Sequence, residues 1–273
     1  MSAWEGFWRA FATITQPRLL AWALLPTVLA VTATALAGWL GWEAALDGVQ
    51  GGLAQVVADD GTRHWLHRMG FDSWRVVLAP MLVVAAAVPI TLTLTLLLVA
   101  ALAAPAVARR VALRLHPPLE ACASCSTARR AAWMLGSTAV ALLALTLSVP
   151  LWLVPPFVML LPPLIWGWLA ARLLTYQALA GHATPEERRR VRRGRRGTLL
   201  LMGVALGFMA ALPSALWSLG SMALVLAPLL MPAAVVGYAI VFVFGAAWFA
   251  HVTLGELARL RAVAAQPVIE VLA

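Results

Sequence analysis

Lysine is absent from this chain, and all 20 basic residues are arginine. Charge of either sign is scarce, at 11% of residues, where a soluble domain carries roughly 25%. Hydrophobic residues make up 63%, and the mean hydropathy is +0.89. One soluble core cannot hide that much apolar surface, so a water-soluble enzyme domain is excluded. A disordered chain is excluded too, because disorder needs a polar composition. Cysteine is nearly missing: Cys122 and Cys125 alone make no disulfide framework. With His116 upstream they still fall short of a zinc site, since no second pair supplies the remaining ligands. No nucleophile elbow, phosphate loop, dinucleotide fingerprint or HExxH is present. Neither catalysis nor a cofactor or metal is therefore expected. What remains is a polytopic, all-α integral membrane protein.

Charge-free stretches mark what can enter hydrocarbon, where about 20 apolar residues span as a helix. Four occur: 19–42, 76–108, 131–171 and 197–250. Inside lipid the backbone must satisfy its own hydrogen bonds, so these are expected to be helical. Ala35-Leu36-Ala37 has some likeness to a cleavage site, but the run around it exceeds the roughly 7–15 residues of a signal h-region. A retained first span is expected.

The loops orient the chain. Residues 43–75 hold three arginines against five acids and are expected outside. Residues 109–130 hold five arginines against one acid, and 172–196 hold eight against two. By the positive-inside rule both are cytoplasmic. The 131–171 block between them must then go in and come back. Pro155-Pro156 offers a hairpin apex. Its arms would have about 24 and about 15 residues, the second too short to cross at 1.5 Å per residue without borrowing polar ones. The 197–250 block reads as a second hairpin, with Pro213, Pro228 and Pro232 as breaks. The expected fold is thus two long transmembrane helices plus two proline-broken hairpins inserted from the cytoplasmic side.

The amino terminus adds a helix over 2–15. Trp4, Phe7, Trp8, Phe11 and Ile14 share one face, and Ser2 with Glu5 fits a capping box. Such a helix lies in the membrane interface, or packs its aromatic face on the protein itself. Gln16-Pro17 ends it. A second cap, Thr184-Pro185-Glu186-Glu187, opens a short cytoplasmic helix over 185–193. This helix and its exit carry Arg188, Arg189, Arg190, Arg192, Arg193, Arg195 and Arg196. The cluster fixes topology and touches anionic lipid headgroups, or forms an electropositive mouth that concentrates a small anion. Nucleic acid is not expected, because no aromatic residues interleave the run for base stacking.

Within the four blocks there is no Asp or Glu, which argues against a proton- or sodium-coupled carboxylate relay. Hydroxyls are present instead. Thr91, Thr93 and Thr95 alternate, and Ser214, Ser218 and Ser221 share a helical face. Either set lines a polar path or bonds helix to helix. His182, and His251 with Glu256, read as interfacial polar residues, the last two being poorly aligned for joint work on a helix.

Residues 12–26, ATITQPRLLAWALLP, resemble the opening of the CysZ-type sulfate permeases, grouped with the etoposide-induced membrane proteins. Residues 176–256, from YQALAGHATPEERRR through GFMAALPSALW and LAPLLMPAAVVGYAIVF to HVTLGE, resemble that family's C-terminal half. PPLE at 117–120 and LWLVPPFVMLLPPLIWGW at 151–168 are similar to an uncharacterised bacterial branch. The resemblance implies an all-helical fold with two long helices and partly inserted hairpins, oligomeric assembly, and passive movement of sulfate. Family permeases read Pro-Gly-Leu-Arg at the start of the first long helix, which suits a dianion at a helix N-terminus. Here Pro17 is followed by Arg18, Leu19, Leu20 and Ala21, so the pattern is not matched residue for residue. Relatives carry Pro and then Asn in the last hairpin, where this chain has Pro213-Ser214.

The expectation is a homo-oligomeric passive permease or channel of the bacterial inner membrane for a small inorganic anion, with sulfate the candidate. Pro17, Arg18, Pro213, Ser214 and Ser218 are its candidate substrate-binding residues. The alternative is a non-transporting scaffold or assembly factor that holds lipid and partner proteins.

Overall fold

The computed structural model describes residues 2–14, 17–56, 74–115, 127–213 and 225–265; every regular element among them is helical, and no strand occurs there. The first helix, α1 (Ala3–Ile14), starts on the expected capping box. Ser2 Oγ accepts from Glu5 N at 3.2 Å, and Glu5 Oε2 accepts from Ser2 N at 3.3 Å.

Helix α2 (Pro17–Val56) is 40 residues long, about 60 Å at the usual rise. It does not stop at Trp42, so residues 43–56, expected as loop, are helix. The reason is local. Glu43-Ala44-Ala45-Leu46 are strong helix formers, and a charge ends an apolar run without interrupting backbone hydrogen bonds. The next rod comprises α3 (Trp74–Leu98), a π-helical segment (Val99–Ala103) and α4 (Ala104–Leu115). It too outruns its expected end at 108, and so Arg109, Arg110 and Arg114 sit on a helix rather than in a loop.

The 131–171 block is a hairpin. Helix α5 (Thr127–Ser148) enters, a 3₁₀ turn (Val149–Leu153) and the extended Val154 reverse the chain, and α6 (Pro155–Ala180) returns. The reversal falls beside Pro155-Pro156, as proline's lost donor requires. The arms are antiparallel, since Trp133 stacks on Tyr176 and Arg130 reaches Gln177. The second arm is 26 residues rather than about 15, because it runs on through Arg172, Thr175, Tyr176 and Gln177. Pro162 and Pro163 lie inside this helix without ending it, as membrane helices tolerate where neighbours support the freed backbone.

Helix α7 (Pro185–Gly194) follows, then α8 (Arg196–Ala211) and α9 (Ala227–Ala265). Helices α8 and α9 also run antiparallel, with Leu206 against Gly245 and Pro213 against Gly237. The last block does not end at Ala250: α9 continues to Ala265, and Pro232 stays inside it. Of the three expected breaks, Pro213 follows the end of α8 and Pro228 sits in the first turn of α9, where proline costs no helical bond.

Helix α9 is the axis of the bundle and touches α1, α2, α3, α4, α6, α7 and α8. Its Tyr238, Phe242 and Phe249 are fully buried with Leu169, Leu173, Met202 and Leu206. Helices α6 and α8 approach most closely, at Gly167, Gly203 and Gly207, where a Cβ on Gly207 would overlap the Pro163 carbonyl. Thr91, Thr93 and Thr95 are buried; Thr93 accepts from Trp166 Nε1 at 3.2 Å and so joins α3 to α6, whereas Thr95 donates to the Thr91 carbonyl of its own helix. Four helical stretches among the described residues are long and apolar enough to span a bilayer: 25–52, 79–115, 127–152 and 229–264.

Candidate functional site

Arginine-bearing helix ends converge at one end of this bundle. Helix α7 is held there first. Thr184 Oγ1 accepts from Glu187 N at 3.3 Å, and Glu187 Oε2 accepts from Thr184 N at 2.8 Å, completing the expected capping box. The same carboxylate accepts from Arg261 of α9, with Nε to Oε1 at 2.9 Å. The Arg261 hydrogen bonds, ahead of every other influence, hold the Glu187 carboxyl down at about 2, against an ordinary 4.5. Arg261 Nη2 also donates to the His182 carbonyl at 2.7 Å. One turn back along α9, Glu256 accepts from both Arg195 Nε and Nη2, at 3.1 and 2.8 Å. Glu256 is thus a strap for the α7–α8 junction.

The cationic cluster of 188–196 therefore divides. Arg195 is bound to Glu256, and Arg188 lies over the Tyr176 ring at 5.1 Å. Arg189, Arg190, Arg192, Arg193 and Arg196 stand exposed. Beneath them the Arg172 guanidinium sits between Trp168 and Trp133, 4.7 and 5.1 Å from their ring centres. That cation–π sandwich shelters a charge that the apolar hairpin must otherwise leave in a dry setting.

Helix α1 docks on α9 in the same region. Trp248 Nε1 donates to the Ala3 carbonyl at 2.8 Å, and Phe7 meets Phe244 and Trp248 edge-on at 5.0 and 5.3 Å. Gly6 permits this closeness, since a Cβ there would lie 2.7 Å from Val252 Cγ2. Trp4, Trp8 and Phe11 are left on the exposed side. The aromatic face is therefore split, Phe7 against the protein and the other three turned outward.

Between α1, α4 and α9 lies a cavity of about 280 Å³. Arg9, Ala12 and Thr13 of α1, Arg110, Val111, Arg114 and Leu115 of α4, and His251 of α9 line it. The spacing explains the convergence. Arg9 and Thr13 are four apart on one helix face, as are Arg110 and Arg114 on another. His251 Nε2 stands 3.0 Å from Thr13 Oγ1, and the Thr13 hydroxyl donates to the Arg9 carbonyl at 2.6 Å.

The expected substrate residues fare differently. Pro17 and Arg18 open α2, but their side chains are outside those described. Pro213 packs on Gly237, its Cγ 2.8 Å from where a Cβ would sit, and so closes α8 against α9. Ser214, Ser218 and Ser221 lie outside the described residues, as do His116, Cys122 and Cys125. Among the described residues no cluster of metal-ligating side chains occurs. Sequence reasoning passed over Arg9, Arg110 and Arg114 as site residues. Their signal was the four-residue spacing of Arg110 and Arg114, legible only once 109–115 is known to be helix.

No curated protein and no solved structure matches this chain. A family model, described as sulfate transporter CysZ/etoposide-induced protein 2.4, matches residues 6–219. The match takes in α1 through α8, with Arg9, Arg110 and Arg114, and ends before α9. Covering well over half of a multi-pass helical membrane chain, it establishes that the protein belongs to the CysZ/etoposide-induced protein 2.4 family.

Proposed function

We propose that this protein is a passive permease or channel for a small inorganic anion, with sulfate the first candidate. The family match over residues 6–219 carries the reading. Two structural features support it. The buried polar residues described in the bundle are hydroxyls, Gln177, His182 and His251, without a carboxylate to couple transport to protons or sodium. The cavity at the arginine-rich end gathers positive charge where an anion would enter. In this reading the arginine-rich ends face the cytoplasm of a bacterial inner membrane, the chain works as a homo-oligomer, and exposed α7 arginines touch anionic headgroups.

Flux of radiolabelled sulfate into proteoliposomes tests the proposal. Uptake down a gradient, unaffected by collapsing proton and sodium gradients, is the expected result. Failure of sulfate, thiosulfate, phosphate and chloride alike to exceed empty vesicles removes it.

A further inference from the structure

We infer that the junction of α5, α6 and α7 docks an anionic phospholipid, its phosphate held between Arg172 and Arg192 and its acyl chains laid along the exposed hairpin below. This deepens one part of the reading above, the contact of α7 arginines with headgroups, and rests on that part and not on anion conduction.

Charge and rings alternate here. The Arg172 guanidinium lies between Trp168 and Trp133, Trp133 stacks on Tyr176 at 4.5 Å, and Arg188 lies over Tyr176. A ring engages the face of a guanidinium, whereas the N–H donors radiate in its plane. Stacking therefore fixes Arg172 without giving it an acceptor. Arg172 Nε is buried with no hydrogen-bond partner, and so is Arg188 Nη1. The nearby carboxylates are committed elsewhere, Glu187 to Arg261 and Glu256 to Arg195. Glu186, exposed in the first turn of α7, shares a helix face with Arg190 four residues on. Burial and the neighbouring Arg192 charge both act against the Arg172 cation. An anion between the two arginines turns that repulsion into attraction.

The surface below the rings selects the kind of anion. On α5 the line of Trp133 continues into Gly136, Val140 and Leu147, and on α6 the line of Trp168 continues into Leu164 and Phe157. Val140, Leu147, Leu164 and Phe157 are all exposed. A Cβ at Gly136 would meet nothing within 4 Å, so room for a chain opens one turn beneath Trp133. A free inorganic ion has no use for such a strip. A phospholipid matches both parts, because guanidinium forks suit phosphate oxygens and the strip suits hydrocarbon.

Position, and not charge density, sets Arg192 apart. Arg189, Arg190 and Arg193 share its short helix and its exposure, yet Arg192 is the one that acts on Arg172. Helix α7 is also held in place at both ends, by Glu187 on Arg261 and by Arg195 on Glu256. The two cations are thus preorganised, which lowers the cost of ordering them around a headgroup.

The test uses the full-length protein, delipidated in neutral detergent. Native mass spectrometry compares retention of phosphatidylglycerol and phosphatidylcholine by the wild type, Arg172→Gln, Arg192→Gln and Arg259→Gln, the last an exposed arginine of α9. Charge-assisted bonds predict a preference for phosphatidylglycerol of about tenfold in the wild type. Arg172→Gln and Arg192→Gln are expected to lose it, and Arg259→Gln to keep it. No preference in the wild type, or equal loss in all three variants, overturns the site. A second readout needs only the wild type and so stands if a variant fails to fold. Phenylglyoxal modification, followed by mass spectrometry, is slowed at Arg192 more than at Arg189 or Arg193 when phosphatidylglycerol is added to phosphatidylcholine nanodiscs. Equal slowing at all three means diffuse attraction and overturns the site. Slowing at Arg192 by inorganic phosphate in lipid-free detergent makes it a small-anion site and overturns the lipid assignment. Sulfate flux without lipid preference removes this site alone, whereas preference without flux removes the permease alone.

Discussion

Arg261 grips Glu187 with two donors, Nε to Oε1 at 2.9 Å and Nη2 to Oε2 at 3.1 Å, while the same carboxylate caps the first turn of α7. One side chain thus both starts the arginine-rich helix and ties it to the axis of the bundle. Its carboxyl is held down at about 2 by the bonds from Arg261. A carboxyl depressed in the fold binds its proton more readily unfolded. Its contribution is therefore full above the ordinary 4.5 and is lost as pH falls toward 2. Melting in detergent as a function of pH is expected to show a loss across that window. Glu187→Gln keeps a capping acceptor but removes the charge, so it should flatten that loss and lower stability near neutrality by about 1 kcal/mol.

His182 adds a second window. Burial first, then the charges of Arg261 and Arg109, push its ring below the ordinary 6.5, against a backbone hydrogen bond that acts the other way. Below 6.5 the unfolded chain takes up a proton that the folded ring resists, so stability declines as pH falls from there. His182→Phe is expected to remove the part of the decline that begins below about pH 6.5 while leaving the Glu187 window in place. An unchanged profile there would show that the ring does not titrate with folding.

Close packing of α6 on α8 gives a sharp contrast between two glycines. Gly207→Ala puts a methyl into the Pro163 carbonyl, which is backbone and cannot swing away. The variant is expected to fold poorly, with a cost at or above the roughly 1–3 kcal/mol of ordinary overpacking. Gly136→Ala on α5 meets nothing within 4 Å and should be neutral or stabilising by up to about 1 kcal/mol. Thermal melts of the two proteins side by side separate the effects.

Topology can be read by labelling. In a background with Cys122 and Cys125 replaced by serine, single cysteines are placed at Gly61, Glu120 and Arg190. Membrane-impermeant maleimide on right-side-out vesicles should reach position 61, and positions 120 and 190 only after the vesicles are opened. Labels at 120 and 190 on opposite faces would refute the hairpin orientation.

Much of the fold was legible because its determinants are local. The capping boxes at Ser2 and Thr184 appear where side-chain spacing placed them, since a cap needs only four consecutive residues. The turn beside Pro155 follows from a missing donor. Helix ends were less legible. Glu43, Arg109 and Arg172 end apolar runs, yet α2, α4 and α6 continue past them, because backbone hydrogen bonding ignores the polarity that sets membrane thickness. The GxxxG at Gly203 and Gly207 carried a signal for close helix packing, but its partner, Gly167, lies 36 residues upstream on another helix.

Sequence by itself determined that this chain is a helical membrane protein, where its hairpin reverses at Pro155, and how its short helices are capped. Those properties depend on composition and on neighbours a few residues apart. Only the tertiary structure decided which arginines meet. Arg9, Arg110 and His251 come from helices separated by about a hundred residues or more of chain, and nothing in their local spacing relates one to another. They share a cavity because Gly6 and Phe7 let α1 settle onto α9 while α4 carries its arginines to the same level. Such a convergence is a product of packing, which periodicity along one strand of sequence does not encode.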